Sequence, residues 1–148
     1  SSQERGPREA QMIVQSAIGR ARLQVDELAA QPWYRHYDER TREEHREMGR
    51  RLLGLVLHYL NREDERAALL DEARKIGTEY GARASKQRLT LSDALRAFLF
   101  FRDYLLESVV QMNDRRVGQK TSNDSLGVYR HVNLFVNEVL LAMVKAYE

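Results

Sequence analysis

No proline follows Pro32, and only Pro7 precedes it. Proline is the strongest helix breaker, so its scarcity leaves long helices free to run. The apolar residues use that freedom, recurring at spacings of three and four that keep them on one helical face. Val14, Ile18, Ala21, Val25 and Leu28 mark a first helix from about Glu9 to Ala29. Gln31–Pro32 ends it, because the residue before a proline is pushed out of the α region. The aromatic connector Trp33–Tyr37 follows.

A second helix starts at Asp38 or at Thr41, where Thr41 and Glu44 have capping-box spacing. Its inward stripe is His45, Met48, Leu52, Leu55 and Tyr59. Asn61 is the expected cap of a third helix whose first turn, Glu63, Asp64 and Glu65, suits the helix dipole. That helix runs to about Ser85 with Leu69, Ala73, Ile76, Tyr80 and Ala84 inward. Gly77 and Gly81 stand one turn apart within it. Each costs about 1 kcal/mol relative to alanine, so close approach of a neighbouring helix is the expected reason. Thr90 opens a fourth helix to about Asn113, and the run Phe98-Leu99-Phe100-Phe101 predicts that it is central. The last helix begins near Ser122 or Asn123. It carries a seam of Tyr129, Val132, Val136, Val139, Met143 and Ala146, and a second apolar face of Phe135, Leu140, Val144 and Tyr147.

The fold class is therefore all-α: a bundle of about five helices with a long C-terminal helix, a globin-like arrangement being one option. Residues 1–8 read as a linker or expression remnant, and 9–148 as a single helical domain. The chain stops inside an unfinished helical pattern, which predicts continuation beyond Glu148.

Composition closes off chemistry. With no cysteine, thiolate metal sites, disulfides and cysteine nucleophiles are all excluded. Lys and Arg total 24 against 22 acids, so the surface acids would repel the phosphates that a nucleic-acid binder must attract. No apolar run is long enough to span a membrane. The four histidines lack the Glu-x-x-His spacing of dimetal bundles and the His-Glu-x-x-His of metalloproteases. His58 or His131 could serve as the axial ligand of a haem sensor, the cofactor alternative. Phosphate loops and nucleophile elbows are absent from the sequence, so no enzyme, resident cofactor or metal is expected.

Arg102 projects from the apolar stripe of the fourth helix, flanked by Phe98, Leu99, Leu105 and Leu106. A guanidinium there needs a partner: an acid on another helix, or an anionic ligand. With Trp33, Tyr34 and Tyr37 it forms the candidate ligand set. A helix apolar on two sides needs two partners, so Tyr129, Val132, Val136, Val139 and Met143, joined by Val14, Ile18 and Val25, are the candidate dimer interface.

The stretch Ala73–Ala84, the stretch Leu89–Arg102 and the closing Phe135–Tyr147 pattern resemble helical input domains of bacterial signalling and transcription regulators. They are similar to the N-terminal domains of RsbR-type co-antagonists. That resemblance implies a cytoplasmic, homodimeric sensor of an unknown small ligand or protein partner, which signals through its last helix to a downstream effector domain. The alternatives are a purely structural dimerisation or docking module, and the globin-like haem sensor.

Overall fold

The computed structural model describes residues 29–115 and 122–148, except for the side chains of residues 108–125. Within them the order is α1 (Pro32–Arg35), α2 (Glu39–Asn61), a 3-10 turn (Glu63–Glu65), α3 (Arg66–Lys86), α4 (Leu91–Arg115) and α5 (Ser122–Tyr147). There is no strand among the described residues, so the chain is an all-α bundle with a long C-terminal helix. The first predicted helix lies almost wholly outside them. Its end is visible: Ala29 and Ala30 are helical, Gln31 is extended, and Pro32 opens the one-turn α1.

Local chemistry sets the other boundaries. Asp38 caps α2, its carboxylate accepting the Thr41 N–H at 2.7 Å. The helix therefore begins before Thr41, which is buried in its first turn instead of capping it. Asn61 is likewise not a cap. It is the last residue of α2, and the acids Glu63–Glu65 form a separate 3-10 turn ahead of α3. Arg66 ties this junction together: its Nε donates to the Tyr59 carbonyl at 3.0 Å, and one terminal nitrogen donates to Nε2 of His131 on α5 at 3.1 Å.

The end of α3 is a Schellman turn. The Leu89 N–H bonds the Ala84 carbonyl and the Arg88 N–H bonds that of Ser85. Arg88 occupies the left-handed position at φ 60°, where glycine is the usual residue. Thr90 then caps α4 as the sequence predicts, its hydroxyl accepting the Asp93 N–H at 3.1 Å.

Fully buried side chains from all four long helices meet in one core. They include Leu52 and Val56 of α2, Ala73 of α3, Phe98 and Leu105 of α4, and Val132, Phe135, Val139 and Met143 of α5. The expectation that α4 is the central helix needs correction. Leu99 is 38% exposed, Phe100 and Phe101 are half-buried, and it is α5 that packs on α2, α3 and α4 alike.

Candidate functional site

The most intimate contact in the bundle is between α3 and α5, and two glycines create it. A Cβ placed on Gly77 would stand 2.5 Å from the Val139 carbonyl oxygen and 3.3 Å from the Ala142 Cβ. At Gly81 the Met143 carbonyl is closer still. Both obstacles are backbone, so the two helices meet main chain to main chain along a strip that no side chain can enter. The sequence reading of these glycines holds. Their neighbours on α5 answer the question of the two apolar faces. Val132, Val136, Val139 and Met143 are buried within the chain, and Tyr129 is half-buried against the same core. The residues offered as a dimer seam thus lie in the core that α5 shares with α2, α3 and α4. The accompanying Val14, Ile18 and Val25 lie outside the described residues.

Beside this contact runs an open groove of about 600 Å³, lined by Arg74 and Thr78 of α3 and by Glu138, Leu141, Ala142, Lys145 and Ala146 of α5. Arg74 bridges it, donating from Nε to Glu138 at 3.1 Å and from a terminal nitrogen to Asp71 at 2.7 Å. The groove therefore carries an apolar floor and paired charges along its rim.

A second feature is a buried polar chain linking the connector after α1 with α2, α3 and α4. Nδ1 of His45 lies 2.7 Å from the Thr41 carbonyl, which can only accept, so Nδ1 carries the proton. Nε2 of the neutral ring is then an acceptor, and the Tyr80 hydroxyl donates to it. The Ala94 carbonyl, 3.4 Å away, offers Tyr80 a second acceptor. Tyr37 stacks on His45 at 4.8 Å and donates its own hydroxyl to the Asp93 carbonyl at 2.5 Å. Burial shifts all three groups toward their neutral forms, with the His45 pKa lowered and those of Tyr37 and Tyr80 raised.

The structure brings Trp33, Tyr34 and Tyr37 together as a buried cluster against Leu89 and Ala97, with ring centroids 5.5–5.9 Å apart. The Arg42 guanidinium covers the Tyr34 ring at 4.9 Å. Arg102 does not join them. It is five residues beyond Ala97, about 140° around α4, half-buried, and its Nε has no hydrogen-bond partner among the described residues. None of the four lines the groove. Of the histidines raised for haem, His58 is exposed and His131 Nε2 is engaged by Arg66. Among the described residues no three His, Asp or Glu side chains are placed to hold a metal ion, and no helix is long and apolar enough to cross a membrane.

A scan against protein families matches residues 13–148 to the RsbT co-antagonist protein rsbRD N-terminal domain. The chain belongs to this family. The resemblance drawn from α3, α4 and the last helix is thereby extended over nearly the whole sequence. Comparison with curated proteins and with solved structures returned no significant match. Membership in the rsbRD N-terminal family makes the chain a domain of regulatory proteins and assigns no catalytic residue.

Three features of this rsbRD N-terminal domain escaped the sequence reading. Inward placement of His45 and Tyr80 is readable from spacing, but their pairing across 35 residues is not. The Arg74–Glu138 bridge spans 64 residues and has no local signal. The outward face of α5 is marked by Leu126, Leu134 and Leu141, which are 47%, 46% and 63% exposed and had belonged to neither predicted face.

Proposed function

We propose that the domain is the input part of a co-antagonist of RsbT, and that it acts without chemistry of its own. A ligand or partner that prefers one helix packing biases the seat of α5 on α3, and α5 carries the bias to an effector domain. The observation that supports this most is the glycine strip. Backbone-on-backbone packing at Gly77 and Gly81 cannot be compressed, so a change in it is a step between two seats, not a gradual yield. Because α5 also packs on α2 and α4, a contact made on any of these helices is felt by it. The reading places the domain in the cytoplasm with its parent protein.

The test is to wedge the strip within the intact parent co-antagonist. Gly81→Ala should move the threshold at which RsbT is released, while circular dichroism shows the domain still helical. A displaced α5 together with an unaltered release threshold would refute transmission through this helix.

A docking module with no signal of its own is the second reading. It is favoured by the exposure of Leu141 at the groove rim. Thermal unfolding against a metabolite panel separates the two, since a domain that binds a small ligand gains stability with ligand concentration.

A further inference from the structure

Leu134 and Leu141 stand in water on the outer side of α5, and an exposed cation lies one turn beyond each of them, Arg130 before and Lys145 after. The four positions are spaced by four, seven and four residues. At about 100° per residue they share an arc of roughly 60° and span about 22 Å of the helix. Single exposed leucines need no explanation, but a row framed by charge does. Neither cation has an ion-pair partner among the described residues. The acid on the same side, Glu138, is already held by Arg74, and Glu148 follows the end of the helix. Beside Leu141 the row opens into the groove of about 600 Å³, where Thr78, Ala142 and Ala146 are small enough to leave room for an incoming side chain.

We propose that this face docks an acidic amphipathic helix of a partner protein. The helix lies along α5 with aliphatic side chains on Leu134 and Leu141 and with carboxylates against Arg130 and Lys145. Helix-in-groove recognition takes its affinity from an apolar stripe. Flanking charges fix the register and reject wrong partners. The outer side of α5 supplies both, and the charge it lacks is negative.

Other occupants fit less well. A second copy laid parallel and in register would set Arg130 on Arg130 and Lys145 on Lys145, and an antiparallel copy would set Arg130 on Lys145. Either arrangement opposes like charges. A phosphate-bearing surface would meet Asp71 and Glu138 at the groove rim, which repel it. The proposal names the partner for the docking reading given above and rests on it. It does not depend on transmission through α5.

The probe is a labelled alanine-based peptide of about 20 residues with Glu, Leu, Leu and Glu at the spacing of the face. That spacing is symmetric, so the peptide fits in either direction. A control peptide carries Lys in place of both Glu. Each is titrated with the 148-residue chain and followed by fluorescence anisotropy. The acidic peptide should bind at least about tenfold more tightly than the basic one. Arg130→Glu with Lys145→Glu should reverse that order, and Leu141→Gln should weaken the acidic peptide by about tenfold. All three positions are exposed, so circular dichroism should show the variants as helical as the parent.

Equal binding of both peptides, or tighter binding of the basic one, would remove the acidic partner and leave the docking reading standing. Failure of both peptides would count against docking at this face altogether. A dimer lost in Leu141→Gln would give the face to a second copy. Sedimentation with phosphatidylserine vesicles, lost in the charge-reversed variant, would give it to a membrane. Each of these results would overturn the proposal.

Discussion

Gly81 of α3 lies so close to the carbonyl of Met143 on α5 that no side chain fits between them. The first prediction follows directly. Gly81→Ala and Gly77→Ala each place a methyl against immovable backbone and should cost more than about 2 kcal/mol, despite the better helix propensity of alanine. Gly54 has nothing within 4 Å of its would-be Cβ and is exposed in the middle of α2. There the propensity gain is unopposed, so Gly54→Ala should stabilise by about 0.5–1 kcal/mol. Thermal unfolding of the three variants should show midpoints moving in opposite directions.

The position of Arg88 gives a second prediction. It holds a left-handed conformation at φ 60° in the turn that ends α3. Arg88→Gly removes the clash of Cβ with the carbonyl and should raise stability by about 0.5–1 kcal/mol, read as a higher midpoint in urea. A lower midpoint would mean that the arginine side chain contributes more than its backbone costs.

His45 makes stability depend on pH. Burial lowers its pKa in the folded chain, while an unfolded histidine titrates near about 6.5. In the window between those values the unfolded chain binds more protons, so stability is complete above the unfolded value and falls as pH drops through it. The loss levels off once the folded pKa is passed. His131, lowered by burial and then by Arg66, adds in the same direction. Urea unfolding from pH 7.5 to 5 should show this slope, and His45→Gln should flatten it. Asp38 and Glu43, held low by hydrogen bonds to Thr41 and to Arg46 and Arg50, act only at more acid pH.

Tyr80→Phe isolates the hydrogen bond itself. It leaves the buried His45 Nε2 without its donor and should cost about 1–3 kcal/mol at pH 7.5. Burial keeps the ring neutral at pH 7.5, so urea unfolding at that pH reads the loss of this hydrogen bond directly.

Much of this domain is readable from local sequence. The Thr90 cap, the break at Gln31–Pro32 and the close approach at Gly77 and Gly81 all express short-range rules. Asn61 shows where such rules stop: it has the chemistry of a cap, but α2 continues through it and the three acids turn on their own. The faces of α5 show a different limit. Periodicity tells which residues share a face and cannot tell what the face meets. Val132 and Val139 turned out to lie in the core shared with α2, α3 and α4, and the row that reaches solvent, Leu126, Leu134 and Leu141, has the wider spacing of eight and seven. Arg102 and the Trp33–Tyr37 aromatics are conspicuous one by one, yet only the aromatics meet in space.

The seat of α5 on α3 is most directly tested by distance. Spin labels at Lys75→Cys and Lys145→Cys report that pair of helices, and labels at Glu47→Cys and Lys75→Cys report α2 against α3 as a reference. All three positions are exposed and the chain has no cysteine of its own. Pulsed electron resonance should give one narrow α3–α5 distance in the native sequence. In Gly81→Ala that distance should move while the α2–α3 distance stays fixed. An α3–α5 distance unchanged by the added methyl would contradict the account.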